Sequence, residues 1–192
     1  KYFLKRIKSK NSKELKHLKK CNNKYIISII EILETSPTIF YIVMPRYQFD
    51  LLELINNPIK NQLNYKSLIK IYLQIINALQ HCHSKRIVHL DIKMENIMVK
   101  SLNPVKIKLI DLGLSRYIPE SLDRISLKKA VGTEKYKAPE IYRLFCPFQS
   151  DIYSLGSLIK FSTQFLNSQF MHSSLNIKNG VLKQCFSNDW EN

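Results

Sequence analysis

Residues 87–99 have the sequence IVHLDIKMENIMV, in which a polar group lies between two apolar runs. It includes an acid, a base and an amide in a fixed pattern: Asp91, Lys93 and Asn96. The flanking runs are rich in β-branched residues, which predicts two short buried strands joined by a loop. Such a loop places a carboxylate, an ammonium group and an amide on a rigid frame, and phosphoryl transfer requires these groups and little covalent chemistry. A polar turn between two strands would produce the same short pattern.

Residues 89–96 form the pattern H-x-D-x-K-x-x-N, which resembles the catalytic loop H-R-D-L-K-x-x-N of the protein kinases. The resemblance implies an α+β fold of two lobes, one partial and β-rich and the other mainly helical. It also implies roles for the three polar residues. Asp91 would orient and deprotonate the acceptor hydroxyl, Lys93 would steady the γ-phosphate of ATP, and Asn96 would bind Mg²⁺.

Two further motifs extend the resemblance. Residues 111–113, Asp-Leu-Gly, follow a strand predicted at 105–110 and are similar to the kinase D-F-G, which makes Asp111 the second candidate Mg²⁺ ligand. Residues 132–140 match G-T-x-x-Y-x-A-P-E, the segment that holds the peptide substrate in the family. Its candidate residues are Gly132, Thr133, Tyr136, Ala138, Pro139 and Glu140.

The resemblance also implies specific contacts in this part of the chain. Thr133 would contact the catalytic aspartate, and Thr133 together with Lys93 is typical of serine/threonine kinases rather than tyrosine kinases. Asp151 resembles the aspartate of the kinase motif D-x-W-x-x-G. It would accept hydrogen bonds from the backbone of the catalytic loop.

The first twenty residues resemble the start of a kinase small lobe. Residues 2–7 alternate in polarity, which predicts a strand. On it, Lys5 is similar to the lysine of V-A-I-K that holds the α- and β-phosphates. A helix is predicted from Ser12, its cap, to Lys20. Glu14 on this helix would pair with Lys5, although nine residues is a shorter spacing than kinases usually show.

A hairpin and a hinge follow in the sequence. Residues 25–33 and 38–44 are rich in β-branched residues and flank Ser36-Pro37, which predicts two antiparallel strands. The resemblance then assigns a hinge to residues 45–50. It assigns nucleotide contacts to Met44 as gatekeeper, the carbonyl of Pro45, the backbone of Tyr47, Met98 and Asp50. Asp50 either binds ribose or caps the next helix.

The division implied by the resemblance is a partial small lobe at 1–44, the hinge, and a large lobe at 51–192 that is truncated at its C-terminal end. A long helix is predicted at 64–84, and a late helix at 181–189. The buried face of the long helix is predicted from apolar residues that recur every three or four positions. They are Leu68, Ile71, Tyr72, Ile75, Ile76, Leu79 and Cys82.

The N-terminus departs from the kinase pattern. The loop G-x-G-x-x-G does not occur in the sequence, which begins at Lys1. We therefore expect a fragment that binds Mg-ATP weakly or not at all. Phe3 stands two residues before Lys5, where kinases nearly always carry alanine. Its ring either narrows the nucleotide site or stacks on the base.

Composition excludes several classes of protein. The 192 residues carry a net charge of +15, but the lysines are spread along the chain and no nucleic-acid-binding module is recognisable, so we expect no specific nucleic-acid partner. The sequence contains no run of eighteen apolar residues, so it predicts no membrane span. The four cysteines are scattered, which predicts reduced thiols in a cytoplasmic or nuclear protein. The oligomeric state is left open.

The function implied by the resemblance is that of a serine/threonine protein kinase that uses ATP and Mg²⁺ and acts on a protein substrate. The first alternative is a pseudokinase scaffold or regulatory binding module with little or no catalysis. The second is a small-molecule kinase of similar fold, which the peptide-binding segment at 132–140 argues against.

Overall fold

The computed structural model describes residues 2–9, 11–36, 38–56 and 63–170. The late helix predicted at 181–189 lies outside these residues. The described ranges form an α+β fold, as predicted, with a small β-rich part that precedes a mainly helical part. In these ranges no helix combines the length and the apolar character that crossing a membrane requires.

The small part is a three-stranded antiparallel sheet with one helix. Its strands are β1 (Tyr2–Ile7), β2 (Glu31–Ser36) and β3 (Ile39–Pro45), in the order β1-β3-β2. Helix α1 (Lys13–Lys20) begins where the Ser12 hydroxyl accepts a hydrogen bond from the Leu15 N–H at 3.4 Å. The strand, the helix and its cap match the sequence prediction.

The prediction of a strand over residues 25–33 is wrong in its first half, because β2 begins only at Glu31. Residues 25–30 instead cross from one sheet to another. The N–H of Leu109 donates to the carbonyl of Tyr25, and the N–H of Ile27 donates to the carbonyl of Leu109. Of the apolar residues that suggested a strand, Ile26 and Ile27 are buried where the two parts of the molecule meet, whereas Ile30 is 49% exposed.

The larger part contains the remaining helices of the described ranges. They are α2 (Leu51–Asn56), α3 (Tyr65–Ser84), α4 (Pro139–Tyr142) and α5 (Gln149–Phe170). Helix α3 begins where the Asn64 side chain accepts a hydrogen bond from the Ser67 N–H at 2.9 Å. Its buried face is the predicted one, except that Ala78 belongs to it and Ile76, 37% exposed, does not.

Seven short strands complete the described fold. Three of them form a sheet in the order β4 (Phe49–Asp50), β6 (Ile97–Leu102), β7 (Val105–Leu109). The other four form two pairs. One pair is β5 (Ile87–Val88) with β8 (Arg116–Tyr117), and the other is β9 (Arg124–Ser126) with β10 (Phe145–Pro147). The polar loop within residues 87–99 connects β5 to β6 and contains a short 3₁₀ turn, Met94–Asn96. Its two ends are therefore held by different sheets.

The carboxylate of Asp151 holds this loop through hydrogen bonds to its backbone. Its side chain is fully buried, and its two oxygens accept hydrogen bonds from the N–H groups of His89 and Leu90, both at 2.8 Å. The Nε2 atom of His83, at the end of α3, lies 2.8 Å from the same carboxylate. The contacts with the backbone of the loop are those that the sequence predicted for Asp151.

We expect Asp151→Ala to destabilise the protein strongly. The substitution leaves two buried N–H groups without an acceptor, and each unsatisfied group costs roughly 1–3 kcal/mol. Urea unfolding followed by far-UV circular dichroism measures the change in the free energy of unfolding. Asp123→Ala, at an exposed aspartate, is the matched control and should leave the midpoint within error. Equal midpoints for the two variants would contradict this account of Asp151.

Candidate active site

The catalytic loop and residue 133 form one polar cluster around Asp91. The Oδ1 atom of Asp91 accepts hydrogen bonds from the Thr133 hydroxyl at 2.7 Å and the Thr133 N–H at 3.2 Å. The Oδ2 atom accepts from Asn96 Nδ2 at 3.0 Å and lies 3.2 Å from Lys93 Nζ. Lys93 Nζ also donates to the Thr133 hydroxyl at 3.1 Å. The structure thus brings together the three residues predicted to be catalytic.

The backbone around this cluster is strained. Leu90 and Asp111 have φ angles of 67° and 65°, which non-glycine residues rarely adopt. Gly132 has a φ of 95°, and a Cβ atom there would lie 2.6 Å from the carbonyl oxygen of Leu90. Only glycine permits this close approach, which explains why the predicted substrate segment, residues 132–140, starts with glycine. Such strain is found preferentially at functional sites.

A second cluster connects α1, β1 and the end of β7. Lys5 Nζ lies 2.6 Å from Glu14 Oε1 and 2.7 Å from Asp111 Oδ1, so the predicted Lys5–Glu14 pair forms despite its short spacing. A Cβ atom on Gly113 would lie 2.9 Å from Asp111 Oδ1, so this glycine also leaves room for the cluster.

The charges in this cluster reinforce one another. Burial alone would lower the pKa of Lys5, but the two carboxylates outweigh it and raise that pKa above its ordinary value. Burial would raise the pKa of Asp111, but the Lys5 ammonium and the Gly113 N–H outweigh it and hold that pKa below its usual range. Lysine and aspartate are therefore both charged near neutral pH.

A largely apolar cavity of about 310 Å³ adjoins the second cluster. Most residues that the sequence assigned to the nucleotide line it: Lys5, Glu14, Met44, Pro45, Tyr47, Met98 and Asp111. Phe3 lines it as well. Sequence reasoning did not identify four other lining residues, which are Leu18, Ile27, Arg46 and Ile110. The sequence pattern around these four residues did not distinguish them from other apolar or isolated charged residues.

Asp50 is not among the lining residues of this cavity. Its Oδ1 atom accepts a hydrogen bond from the Glu53 N–H at 2.8 Å, and Glu53 Oε2 accepts from the Asp50 N–H at 3.0 Å. This reciprocal pair caps α2. Of the two alternatives for Asp50, the capping one is seen, and the ribose contact stays a prediction.

The side chains proposed to bind Mg²⁺ have suitable chemistry. Asn96 Nδ2 donates to the carbonyl oxygen and to Oδ2 of Asp91, so Oδ1 is the Asn96 atom that a cation would bind. Asp111 contributes a charged carboxylate. Magnesium prefers oxygen ligands and is commonly held by one or two protein groups together with phosphate oxygens. The described residues contain no cluster of three or more His, Cys, Asp or Glu side chains suited to a metal ion.

His89 is a site residue whose role the sequence reasoning missed. It is fully buried, its Nε2 lies 3.1 Å from the carbonyl of Ile110, and its Nδ1 accepts from the Asp91 N–H at 3.3 Å. Burial lowers its pKa, so the ring is neutral and Nε2 carries the proton that is donated to Ile110. The neutral ring connects the catalytic loop to the residue before Asp111.

The predicted substrate segment lies against the catalytic loop through Thr133. Tyr136 and Ala138 are buried, and Pro139 is the first residue of α4, where its missing N–H is tolerated. Glu140 Oε1 accepts a hydrogen bond from the Ser150 hydroxyl at 2.7 Å, a partner that sequence reasoning did not identify. The segment is therefore anchored at both of its ends.

Comparison with known proteins adds independent evidence. The chain matches the family model described as "Protein kinase domain" over residues 1–188. It is 35% identical to serine/threonine-protein kinase dkf-2 of Caenorhabditis briggsae over 131 residues, which are 68% of this chain and 11% of that protein. It is 37% identical to calcium-dependent protein kinase 6 of Plasmodium berghei (strain Anka) over 163 residues, 83% of this chain and 11% of that protein.

A rice relative, serine/threonine protein kinase OSK3 of Oryza sativa subsp. indica, is 31% identical over 156 residues, 80% of this chain and 29% of that protein. The matched stretches thus span less than a third of each of these relatives. The family model nevertheless covers nearly the whole chain, and the α+β fold agrees with it. This chain therefore belongs to the protein kinase family and is of the eukaryotic serine/threonine type.

Proposed function

We propose that this chain is the catalytic part of a serine/threonine protein kinase, which transfers the γ-phosphoryl group of ATP to a hydroxyl group of a protein. The observation that carries the proposal is the simultaneous assembly of both polar clusters. Lys93, Asn96 and Thr133 each contact the carboxylate of Asp91, and Lys5 contacts both Glu14 and Asp111. The kinase relatives support the reaction class.

Asp91 has the geometry of a group that orients a hydroxyl nucleophile. Its carboxylate is held by hydrogen bonds from Thr133 and Asn96, so its rotation is restricted before a substrate arrives. It can then accept the proton of the serine or threonine hydroxyl. Lys93, which lies beside the carboxylate, supplies positive charge where negative charge develops on the transferred group.

The cavity beside Lys5 is the proposed nucleotide site. Met44 and Met98 supply apolar contact surface, and Pro45 and Tyr47 also line the cavity. Lys5 neutralises phosphate charge, and its ion pair with Glu14 holds the ammonium group in place. Mg-ATP, when bound, supplies the phosphoryl group and its own charge neutralisation, and Asn96 and Asp111 are the residues that we assign to its metal.

The proposal is tested by incubating the chain with γ-labelled ATP, Mg²⁺ and a peptide library that contains serine, threonine and tyrosine acceptors. Label on serine and threonine is the expected result. Binding of nucleotide without transfer would favour the pseudokinase alternative. Transfer only to small molecules would favour the small-molecule kinase.

We expect Asp91→Asn to lower kcat by about 10²–10⁴-fold, the usual contribution of a general base, and to leave KM for ATP nearly unchanged. The amide cannot accept the proton of the acceptor hydroxyl. Steady-state kinetics of the purified variant measures the effect. Asp123→Asn makes the same chemical change at an exposed position and serves as the control. Parental turnover by Asp91→Asn would show that the role belongs to another group.

We expect activity to be independent of phosphorylation between Asp111 and Glu140. Leu90 stands where kinases switched by such a phosphate carry arginine, and it is only 6% exposed. It packs in an apolar cluster that includes Ile118, Leu127 and Val131, so apolar burial orders this segment instead of an ion pair. Phosphatase treatment, with mass spectrometry of the segment, should leave the rate unchanged. Loss of activity together with loss of a phosphate in this segment would refute the prediction.

We expect Phe3→Ala to weaken nucleotide binding. The Phe3 ring lines the cavity while 52% exposed, which favours stacking on the base over blocking of the site. Stacking of a base on an aromatic ring is worth about 1–3 kcal/mol, so the Kd should rise by about 5- to 150-fold. Calorimetric titration with Mg-ATP measures it.

Tyr2→Ala removes a ring from the neighbouring position, on the opposite face of β1, and is the control for Phe3→Ala. Its Kd should equal that of the parent. Tighter binding by Phe3→Ala would instead show that the ring obstructs the cavity.

A further inference from the structure

Helix α1 carries Glu14, and a histidine one turn later contacts the segment that follows Asp111. His17 Nδ1 lies 2.7 Å from the hydroxyl oxygen of Ser115. Both side chains are buried, with exposed fractions of 9% and 1%. The contact joins residues that are 98 positions apart in the sequence.

The direction of this hydrogen bond follows from the other partner of the serine. The Ser115 hydroxyl donates to the carbonyl of Leu112 at 2.5 Å, so its oxygen accepts from His17 and the histidine proton is on Nδ1. Burial lowers the pKa of His17, and the positive charges of Lys13, Lys20 and Arg116 lower it further. The contact is therefore a neutral hydrogen bond near pH 7.

A second contact lies at the last turn of the same helix. Lys20 Nζ is 4.3 Å from the centre of the Tyr117 ring, a cation–π geometry. Tyr117 and Arg116 form β8, which pairs with Ile87 and Val88 directly before the catalytic loop. Helix α1 therefore contacts a segment that pairs, through β8, with the strand directly before the catalytic loop.

We propose that His17 is a positioning residue, whose hydrogen bond to Ser115 sets the rotation of α1 and thereby holds Glu14 against Lys5. His17 and Glu14 are three residues apart and thus lie on neighbouring positions of the helix surface. Rotation of the helix that breaks the histidine contact also moves the glutamate. The inference rests on the proposed nucleotide site, but it does not require that the chain catalyses transfer.

The first test measures the Kd for Mg-ATP by calorimetry. His17→Leu removes the donor, and we expect the Kd to rise by about three- to tenfold, the range of one lost hydrogen bond. His17→Asn keeps an N–H donor near the position of Nδ1 and should restore most of the affinity. Ser115→Ala should reproduce the effect of His17→Leu. Lys16→Leu, on the exposed side of the same helix, is the control.

A double-mutant cycle separates positioning from general destabilisation. If His17 acts through Glu14, His17→Leu should change the Kd little in a Glu14→Gln background. Equal changes of Kd in both backgrounds, or no change in the parent, would overturn the proposal.

Hydrogen exchange provides a readout that needs neither nucleotide nor turnover. His17→Leu should speed amide exchange in residues 13–20 and 115–117 but not in α3, and His17→Asn should do so much less. Unchanged exchange in α1 would overturn the proposal even if no nucleotide binds. An absence of phosphoryl transfer with these exchange effects intact would contradict only the proposed function.

Discussion

The buried carboxylate of Asp151 is the interaction on which the catalytic loop depends. The loop contains Leu90 in a left-handed backbone conformation that costs roughly 1–3 kcal/mol. The N–H of this residue and that of His89 both donate to Asp151, so the strained conformation is the one in which two buried donors are satisfied. The carbonyl of Leu90 then faces Gly132, whose lack of a side chain permits the approach of the substrate segment.

Strand β7 connects this loop to the small β-rich part of the molecule. Its residue Leu109 exchanges hydrogen bonds with Tyr25 and Ile27, while the Ile110 N–H, one residue on, donates to the carbonyl of Asn96 at 3.0 Å. The chain then reaches Asp111 and its ion pair with Lys5. One short stretch thus positions groups of both polar clusters, which explains how residues from distant parts of the sequence meet with little freedom.

Apolar and neutral contacts contribute to holding the segment after Asp111. Leu90 packs with Ile118 and Leu127, and Ser115 accepts from a neutral His17. Contacts of this kind are weakened little by salt, unlike exposed ion pairs. These contacts are consistent with an alignment of α1 and the catalytic loop that does not need the charge of an added phosphate. This links the proposed function to the proposed role of His17.

The sequence by itself determined the elements and the chemistry that short-range patterns encode. Alternation predicted β1, a serine cap predicted the start of α1, and the resemblance of two short motifs to those of kinases indicated Asp91, Lys93, Asn96 and Asp111. These features depend on residues near one another in the chain, so they are visible without a fold. The family and the α+β class, inferred from the same motifs, are confirmed. The roles of the site residues stay predictions.

Only the tertiary structure decided which distant groups meet. The burial of Ile26 and Ile27 between two sheets, the partner of Glu140 and the contact of His17 with Ser115 all depend on packing between separate elements. No periodicity marks such contacts, because each joins two residues whose own neighbours give no sign of the partner. The physical reason is that burial and hydrogen-bond satisfaction are set by the assembled surfaces, not by the order of residues along one strand or helix.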